Sequence, residues 1–156
     1  MGESTMTTDT VRTPRQVFDE LLRTSIAGDW DALIDLYAED SVIEIPFAPP
    51  GVPVVSDGAA LRARITGMAQ ARPWNFEAAD DVRVHETTDP EVIIAEYTLR
   101  GTVTATGAPL ALSYAMVITA RDGKIVHSRD YGNPLATSAA LGRLPEVVAA
   151  YQEGTK

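Results

Sequence analysis

The sequence predicts an α+β fold in which helices come first and an antiparallel sheet follows. Apolar residues recur at helical spacing in the first half, β-branched strand-like runs fill the second half, and an Asp-Gly pair joins the last two runs. Helices followed by consecutive hairpins indicate an antiparallel sheet with its helices on one face. The 156 residues fit one domain, predicted over 14–152 after a disordered lead-in at 1–13.

The first helix is predicted from a complete start signal. Thr13 can act as the N-cap, Pro14 suits the first helical position, and Gln16 completes a capping box. Gly28 supplies the left-handed residue that ends the helix. The apolar stripe of this helix consists of Val17, Phe18, Leu21, Leu22 and Ile26.

A second helix is capped by Asp29, and its apolar stripe is predicted to run from Trp30 to Tyr37. The two helices form a helical hairpin. Residues 42–45 are β-branched and predict a short strand. The following Pro-rich segment, residues 46–53, excludes regular structure.

A third helix is predicted to start near Ser56 or Asp57, and Pro73 closes that segment. The predicted strands that follow span 82–86, 91–105, 110–121 and 124–131. Asp122-Gly123 predicts a two-residue hairpin of type I′. A further helix is indicated at 145–152.

Composition excludes several classes of function. The formal charge of −9 and the lack of a basic cluster argue against nucleic-acid binding. No apolar run is long enough to span a membrane, and no export signal is recognisable, so a cytoplasmic location is expected. The chain has no cysteine, and His85 and His127 lack ligand spacing, so neither a metal site nor a cofactor is predicted.

Several motifs together resemble the nuclear-transport-factor-two-like superfamily. Within it, the sequence is similar to SnoaL-like polyketide cyclases and to limonene-epoxide-hydrolase and ketosteroid-isomerase relatives. The match covers roughly residues 14 to 135. The motifs that carry it are Ala27-Gly28-Asp29-Trp30-Asp31-Ala32-Leu33, Leu36-Tyr37-Ala38-Glu39-Asp40-Ser41-Val42, Pro46-Phe47-Ala48-Pro49-Pro50-Gly51 with Gly58, Asp122-Gly123-Lys124-Ile125 and Arg129-Asp130-Tyr131.

The resemblance implies a cone-shaped α+β barrel, with three N-terminal helices packed on a strongly curved mixed or antiparallel sheet that encloses an apolar pocket. It also implies chemistry by one or two carboxylates without a metal or cofactor. Many relatives are homodimers through the outer sheet face. Independently, residues 110–120 are apolar on both strand faces, which calls for a cover such as a partner subunit.

Asp130 is the first candidate for the acid or base. The resemblance places an acidic residue of the last strand in the pocket, and a carboxylate among apolar side chains has a raised pKa that suits proton transfer near neutral pH. The alternative is an ion pair of Asp130 at the sheet rim, for example with Arg129.

Glu44 is the second catalytic candidate because it interrupts an otherwise apolar strand. Its facing is open: if Ile43 and Ile45 face the core, strand alternation turns Glu44 outward. Six aromatic residues are expected to bind a flat hydrophobic substrate, with core packing as the alternative. They are Phe18, Tyr37, Phe47, Trp74, Tyr97 and Tyr114.

The hypothesis is therefore a cofactor-independent enzyme of the isomerase or cyclase type, acting on an apolar, oxygenated polyketide, terpenoid or steroid-like compound. A non-catalytic ligand-binding or dimerisation module is the alternative. Epoxide hydrolysis is a further alternative, but Tyr97 and Leu99 occupy the positions where those relatives keep an Arg and an Asp.

Overall fold

The computed structural model describes residues 10–154, which form an α+β domain. The helices are α1 (Pro14–Ala27), α2 (Trp30–Asp35), α3 (Gly58–Ala71), α4 (Pro134–Ala140) and α5 (Leu144–Gly154). The strands are β1 (Tyr37–Glu44), β2 (Val55–Asp57), β3 (Trp74–Glu86), β4 (Val92–Val103), β5 (Pro109–Arg121) and β6 (Lys124–Gly132). The predicted lead-in lies mostly at residues 1–9, outside the described residues, and it stays a prediction together with the domain boundaries.

The start of α1 follows from its sequence as predicted. The Gln16 amide donates to the Thr13 hydroxyl at 3.2 Å, and the Thr13 amide donates to Gln16 Oε1 at 2.9 Å. Gly28 ends the helix with a φ of 66°, a left-handed conformation in which Gly is favoured. The capping box therefore fixes the angle at which α1 reaches the sheet.

The second helix is shorter than its apolar stripe predicts. It ends at Asp35, and Tyr37 is the first residue of β1. The Ile125 amide donates to the Leu36 carbonyl, and Tyr37 pairs with Ile125 of β6. The hydrogen bonds to β6 thus replace those of the last predicted helical turn, and Tyr37 lies in the sheet instead of in the helix.

The six strands form one curved, open sheet in the order β2-β1-β6-β5-β4-β3. The sheet is mixed, because β1 and β6 run parallel and the other neighbours run antiparallel. It is not closed into a barrel, since β2 and β3 are its edges. The β5–β6 hairpin turns at Asp122 and Gly123, whose φ angles of 51° and 76° fit the predicted type I′ turn.

Strand β3 extends beyond its predicted bounds. Strand β3 begins at Trp74 rather than at residue 82, and it follows Arg72, which ends α3 with a left-handed φ of 43°. Gly101 of β4 lies so close to β3 that an added Cβ would be 1.9 Å from the Asn75 carbonyl oxygen. This close approach allows the long, bulged β3 edge to pack on β4.

The core lies between the helices and the inner face of the sheet. Phe18 of α1 and Ile43, Ile118 and Ile125 of the sheet are its largest fully buried apolar side chains. At the C-terminal end, α4 packs on β5, and α5 packs on α4 without burying any of its own residues. Among the described residues, no helix combines the length and the apolar character that a membrane crossing requires.

Candidate functional site

Asp130 lies on the inner face of β6, two residues before the strand ends. It pairs with the buried Met116 of β5, and Ser128 precedes it on the same face. Asp130 is half-buried as a whole, but its Oδ1 is shielded from solvent and has no hydrogen-bond partner among the described residues. Alternation along β6 directs the carboxyl group toward the core side of the sheet, as the sequence predicts.

The surroundings change the acidity of this carboxyl group. Burial raises the pKa of Asp130 from 3.8 to about 6, because an apolar environment disfavours the charged form. The Ser128 hydroxyl, the Arg64 guanidinium and His127 act in the opposite direction, and burial outweighs them. Ser128 exerts its effect from close range without meeting the geometry of a hydrogen bond. Asp130 can therefore hold or release a proton near neutral pH.

Three predicted tyrosines surround Asp130. Tyr97 and Tyr114 form a cross-strand pair with stacked rings 5.4 Å apart, and the Tyr97 hydroxyl donates to Met116 Sδ at 3.0 Å. Burial, followed by the charge of Asp130, raises the pKa of Tyr114 to about 12 and raises that of Tyr97 well above its ordinary value. Tyr37 of β1 is affected in the same way. All three phenols thus stay protonated and can donate hydrogen bonds.

Phe18 supports this group from the helical side. Its ring is fully buried, and its centroid lies 5.3 Å from that of Tyr97. The structure therefore brings Phe18, Tyr37, Tyr97 and Tyr114 together around Asp130. We call Asp130 and the three tyrosines the inner cluster.

Three polar residues of this region were not singled out from the sequence. Ser41 and Ser128 are fully buried on the inner faces of β1 and β6, and neither hydroxyl has a partner in residues 10–154. Arg64 of α3 is half-buried, and its charge acts on both Asp130 and Tyr37. Strand alternation from Ile43 and Asp130 could have indicated the two serines. The position of Arg64 between the apolar Leu61 and Ile65 of a predicted helix could have indicated the arginine.

Glu44 lies on the opposite face of the sheet from Asp130. Ile43 is fully buried in the core, so alternation turns Glu44 outward. Its carboxylate accepts a hydrogen bond from His127 Nε2 at 2.7 Å and forms an ion pair with Arg129 at 3.4 Å. Of the two facings that the sequence left open for Glu44, the structure has the outward one, which separates this catalytic candidate from Asp130. Arg129 pairs with Glu44 rather than with Asp130.

An open groove of about 820 Å³ lies at the end of β6, and its walls are predominantly apolar. Phe47, which is 59% exposed, forms part of it and packs edge-to-face on Tyr131 at 5.4 Å. Asp130 does not line the groove, but Gly132 does. A Cβ at Gly132 would lie 3.2 Å from the Tyr114 ring, so this glycine separates the groove from the inner cluster. The other lining residues are Pro46, Ala48, Asn133, Pro134, Leu135, Val148, Tyr151 and Gln152.

Trp74, the remaining aromatic candidate, is not brought into the inner cluster. It begins the edge strand β3 opposite Val103, and its ring packs on Phe76 at 5.8 Å. The side chain is half-buried, and no group in the part of the chain that the structure describes forms a hydrogen bond with its Nε1. Trp74 therefore packs at the far end of the sheet from Asp130.

The outer sheet face carries Arg100 and His85, and each of them pairs with a carboxylate. Arg100 forms an ion pair with Asp80 there, as alternation from Leu99 predicts, so it does not replace the arginine of epoxide-hydrolase relatives. The Nε2 atom of His85 and Oε2 of Glu96 form a hydrogen bond at 2.8 Å. Within residues 10–154, no three His, Asp or Glu side chains cluster closely enough to hold a metal ion.

Comparison with known proteins agrees with this architecture. The family model described as "SnoaL-like domain" matches residues 18–128. An uncharacterised PhzA/B-like protein of Pseudomonas aeruginosa is 34% identical over 129 residues, which span 82% of this chain and 89% of that protein.

Solved structures carry the same fold. One, provisionally named an isomerase, comes from Bacillus subtilis; it is 30% identical, with a TM-score of 0.74 over 83% of this chain and 93% of its own. IdmH from Streptomyces antibioticus, provisionally named a polyketide cyclase, is 22% identical. It has a TM-score of 0.62 over 84% of this chain and 99% of its own. At that identity, the likeness to IdmH concerns the fold alone.

Proposed function

This chain belongs to the SnoaL-like domain family, and on that premise we propose that it is a cofactor-independent enzyme of the isomerase or cyclase type. Its substrate is a mostly apolar carbonyl compound, such as a polyketide, terpenoid or steroid-like molecule. Asp130 is the acid or base that moves the proton. The observation that carries this proposal is the unpartnered, shielded Oδ1 of Asp130 on the inner face of the sheet.

The surroundings of Asp130 support proton transfer in both directions. A carboxyl group with a pKa of about 6 is a base strong enough to take a proton from an activated carbon, and it is acidic enough to return it. Tyr97 and Tyr114 supply protonated hydroxyl groups beside it. Such donors stabilise negative charge on a substrate oxygen more strongly in an apolar site than in water.

Access to Asp130 is proposed to come from the groove. Phe47 and Leu135 offer apolar surface to a hydrophobic substrate, and Gly132 is the residue between that surface and Tyr114. A glycine there leaves room for the Tyr114 ring to turn. Movement of this ring would connect the groove with the inner cluster.

The test is hydrogen–deuterium exchange at the carbon next to the carbonyl in a panel of neutral ketones, followed by NMR. Asp130→Asn should slow the protein-catalysed exchange by about 10²- to 10⁴-fold. Asp40→Asn is the matched control, because Asp40 is exposed and lies outside the inner cluster. Unchanged exchange in the Asp130 variant, with ketone binding retained, would remove Asp130 from the mechanism.

A second candidate function is ligand binding without catalysis. The observation that favours it is that the groove is lined by Phe47 and Tyr151 but not by Asp130. Saturable binding of an apolar ligand that is lost in Phe47→Ser, together with no exchange in any ketone, would support binding alone.

We further propose that the protein is a homodimer through the outer sheet face. Ile94 of β4 is 37% exposed there, and Ala115 and Val117 of β5 are half-buried neighbours on the same face. Pairing of two such faces would cover apolar surface that a monomer leaves in water. The cytoplasmic location expected from the sequence stays a prediction.

A further inference from the structure

Arg64 occupies an unusual place for a guanidinium group. It lies in the middle of α3 between the buried Leu61 and Ile65, and it is itself half-buried. Within residues 10–154 it forms neither an ion pair nor a hydrogen bond. A guanidinium group that loses water without gaining a partner is destabilising, so a partner that arrives with the substrate would compensate for it.

The charge of Arg64 acts on two members of the inner cluster. Helix α3 packs on β1, the strand that carries Tyr37 and Ser41. Arg64 is half-buried beside the two buried apolar residues of this helix. Its charge lowers the pKa of both Tyr37 and Asp130, so a helix and a strand each supply one charged group to the inner cluster.

Buried polar atoms lie on β1, against which α3 packs, and on its neighbour β6. The hydroxyl groups of Ser41 and Ser128 and Oδ1 of Asp130 are all shielded and unpartnered. Ile43 pairs directly with Ser128 across β1 and β6, so the two serines lie on neighbouring strands of one face. This arrangement suits a substrate that brings its own oxygen atoms into an otherwise apolar space.

The balance of charge indicates which kind of substrate fits. Ionised Asp130 and Arg64 carry opposite charges, so the site is neutral before a substrate binds. A neutral carbonyl compound keeps it neutral, whereas a carboxylate would add a second negative charge to one cation in an apolar space. The site therefore favours neutral carbonyl compounds over organic acids.

We infer that Arg64 stabilises the enolate oxygen that forms when Asp130 removes a proton from a neutral carbonyl substrate, an inference that rests on the function proposed above. In this step the C–H bond breaks and its proton forms an O–H bond on Asp130. The C–H electron pair forms the C=C bond of the enolate, and the carbonyl π pair moves to the oxygen. The negative charge passes from Asp130 to the substrate, and Arg64 faces it before and after the transfer. Where the enolate is conjugated with a further C=C bond, return of the proton from Asp130 to the far carbon completes isomerisation. Where the enolate carbon attacks a second carbonyl, a C–C bond forms, the π pair of that carbonyl moves to its oxygen, and this oxygen takes the proton from Asp130 to complete cyclisation.

The probe for this inference is 4-nitrophenol, a neutral apolar phenol whose ionised form resembles an enolate and absorbs visible light. Its ionisation is titrated when bound to the wild-type protein and to Arg64→Gln, Arg64→Lys and Arg62→Gln. Arg62 is the matched control, because it lies on the same helix and is not among the charges that act on Asp130. Thermal unfolding checks that each variant is folded.

Arg64→Gln should reduce the ratio of ionised to neutral bound 4-nitrophenol by about tenfold or more at a fixed pH, which corresponds to one unit of its pKa. Arg64→Lys should retain part of the effect, and Arg62→Gln should change nothing. Ketone exchange should fall by about 10²-fold in Arg64→Gln. Unaltered ionisation in folded Arg64→Gln, or no binding of the phenol to the wild-type protein, would overturn the inference.

The two proposals fail in different experiments. If Asp130→Asn abolishes ketone exchange while Arg64→Gln leaves phenol ionisation unchanged, Asp130 keeps its role and Arg64 loses its own. If Asp130→Asn leaves exchange intact, the proposed function itself is contradicted, whatever the phenol shows.

Discussion

Asp130→Asn is expected to make the protein more stable at neutral pH while it removes activity. The pKa of Asp130 is about 6 in the folded protein and 3.8 without burial, so the folded state binds this proton more tightly than the unfolded chain does. The resulting stabilisation is complete below pH 3.8 and is lost as the pH rises through about 6. Each pKa unit is worth about 1.4 kcal/mol, so ionised Asp130 costs the folded state at most about 3 kcal/mol above pH 7.

The assay is urea unfolding of the wild-type protein, Asp130→Asn and the exposed control Asp40→Asn at a series of pH values from 4 to 8. The advantage of Asp130→Asn should grow by about 2–3 kcal/mol between the two ends, and thermal midpoints should separate by roughly 6–12 °C. Any constant difference between amide and protonated carboxyl cancels in this comparison. An advantage of Asp130→Asn that does not depend on pH would refute the reasoning that burial controls this carboxyl group.

Three further predictions concern other parts of the molecule. Glu44→Gln should change ketone exchange less than about twofold, because Glu44 and its partners lie across the sheet from Asp130. It should change the free energy of unfolding by at most about 1 kcal/mol, because these partners are partly exposed. A loss of ketone exchange as large as that of Asp130→Asn would contradict this placement. Gly101→Ala should destabilise the protein by about 3 kcal/mol or more in urea unfolding, because its Cβ would clash with the Asn75 carbonyl; wild-type stability would refute the close approach. Ala115→Lys should halve the molecular mass in sedimentation equilibrium by placing a charge in the proposed dimer face, and an unchanged mass would locate the interface elsewhere.

Much of the fold could be predicted because its signals are local. The capping box of Thr13 and Gln16 is complete within four residues, and the Asp122-Gly123 turn depends on only two backbone conformations. Pairing between strands that are distant in the sequence was harder to predict. Tyr37 continues the helical spacing of Trp30, yet it joins β1 because β6, nearly ninety residues later, supplies its hydrogen-bonding neighbours.

The candidate site likewise contains residues whose placement could be predicted from the sequence and residues whose placement could not. The inward facing of Asp130 was implied by the family resemblance, and in the structure Asp130 lies on the same face of β6 as the buried Ser128. The facing of Glu44 depended on which residues of β1 enter the core, and a one-residue difference in register reverses that answer. Arg64 belongs to a helix whose approach to β6 depends on how α3 packs over β1, so only the three-dimensional structure brings it to Asp130.

The most direct test of the central claim, that Asp130 is the base in a buried site, is the pH dependence of ketone exchange by the wild-type protein. The groups that act on its ionisation are Ser128, Arg64 and His127 together with burial, and they give a pKa of about 6. The rate should rise with pH through that value and then level off, as the carboxyl group becomes ionised. A protein-catalysed rate with no inflection near pH 6, or one that falls as the pH rises through it, would contradict the claim.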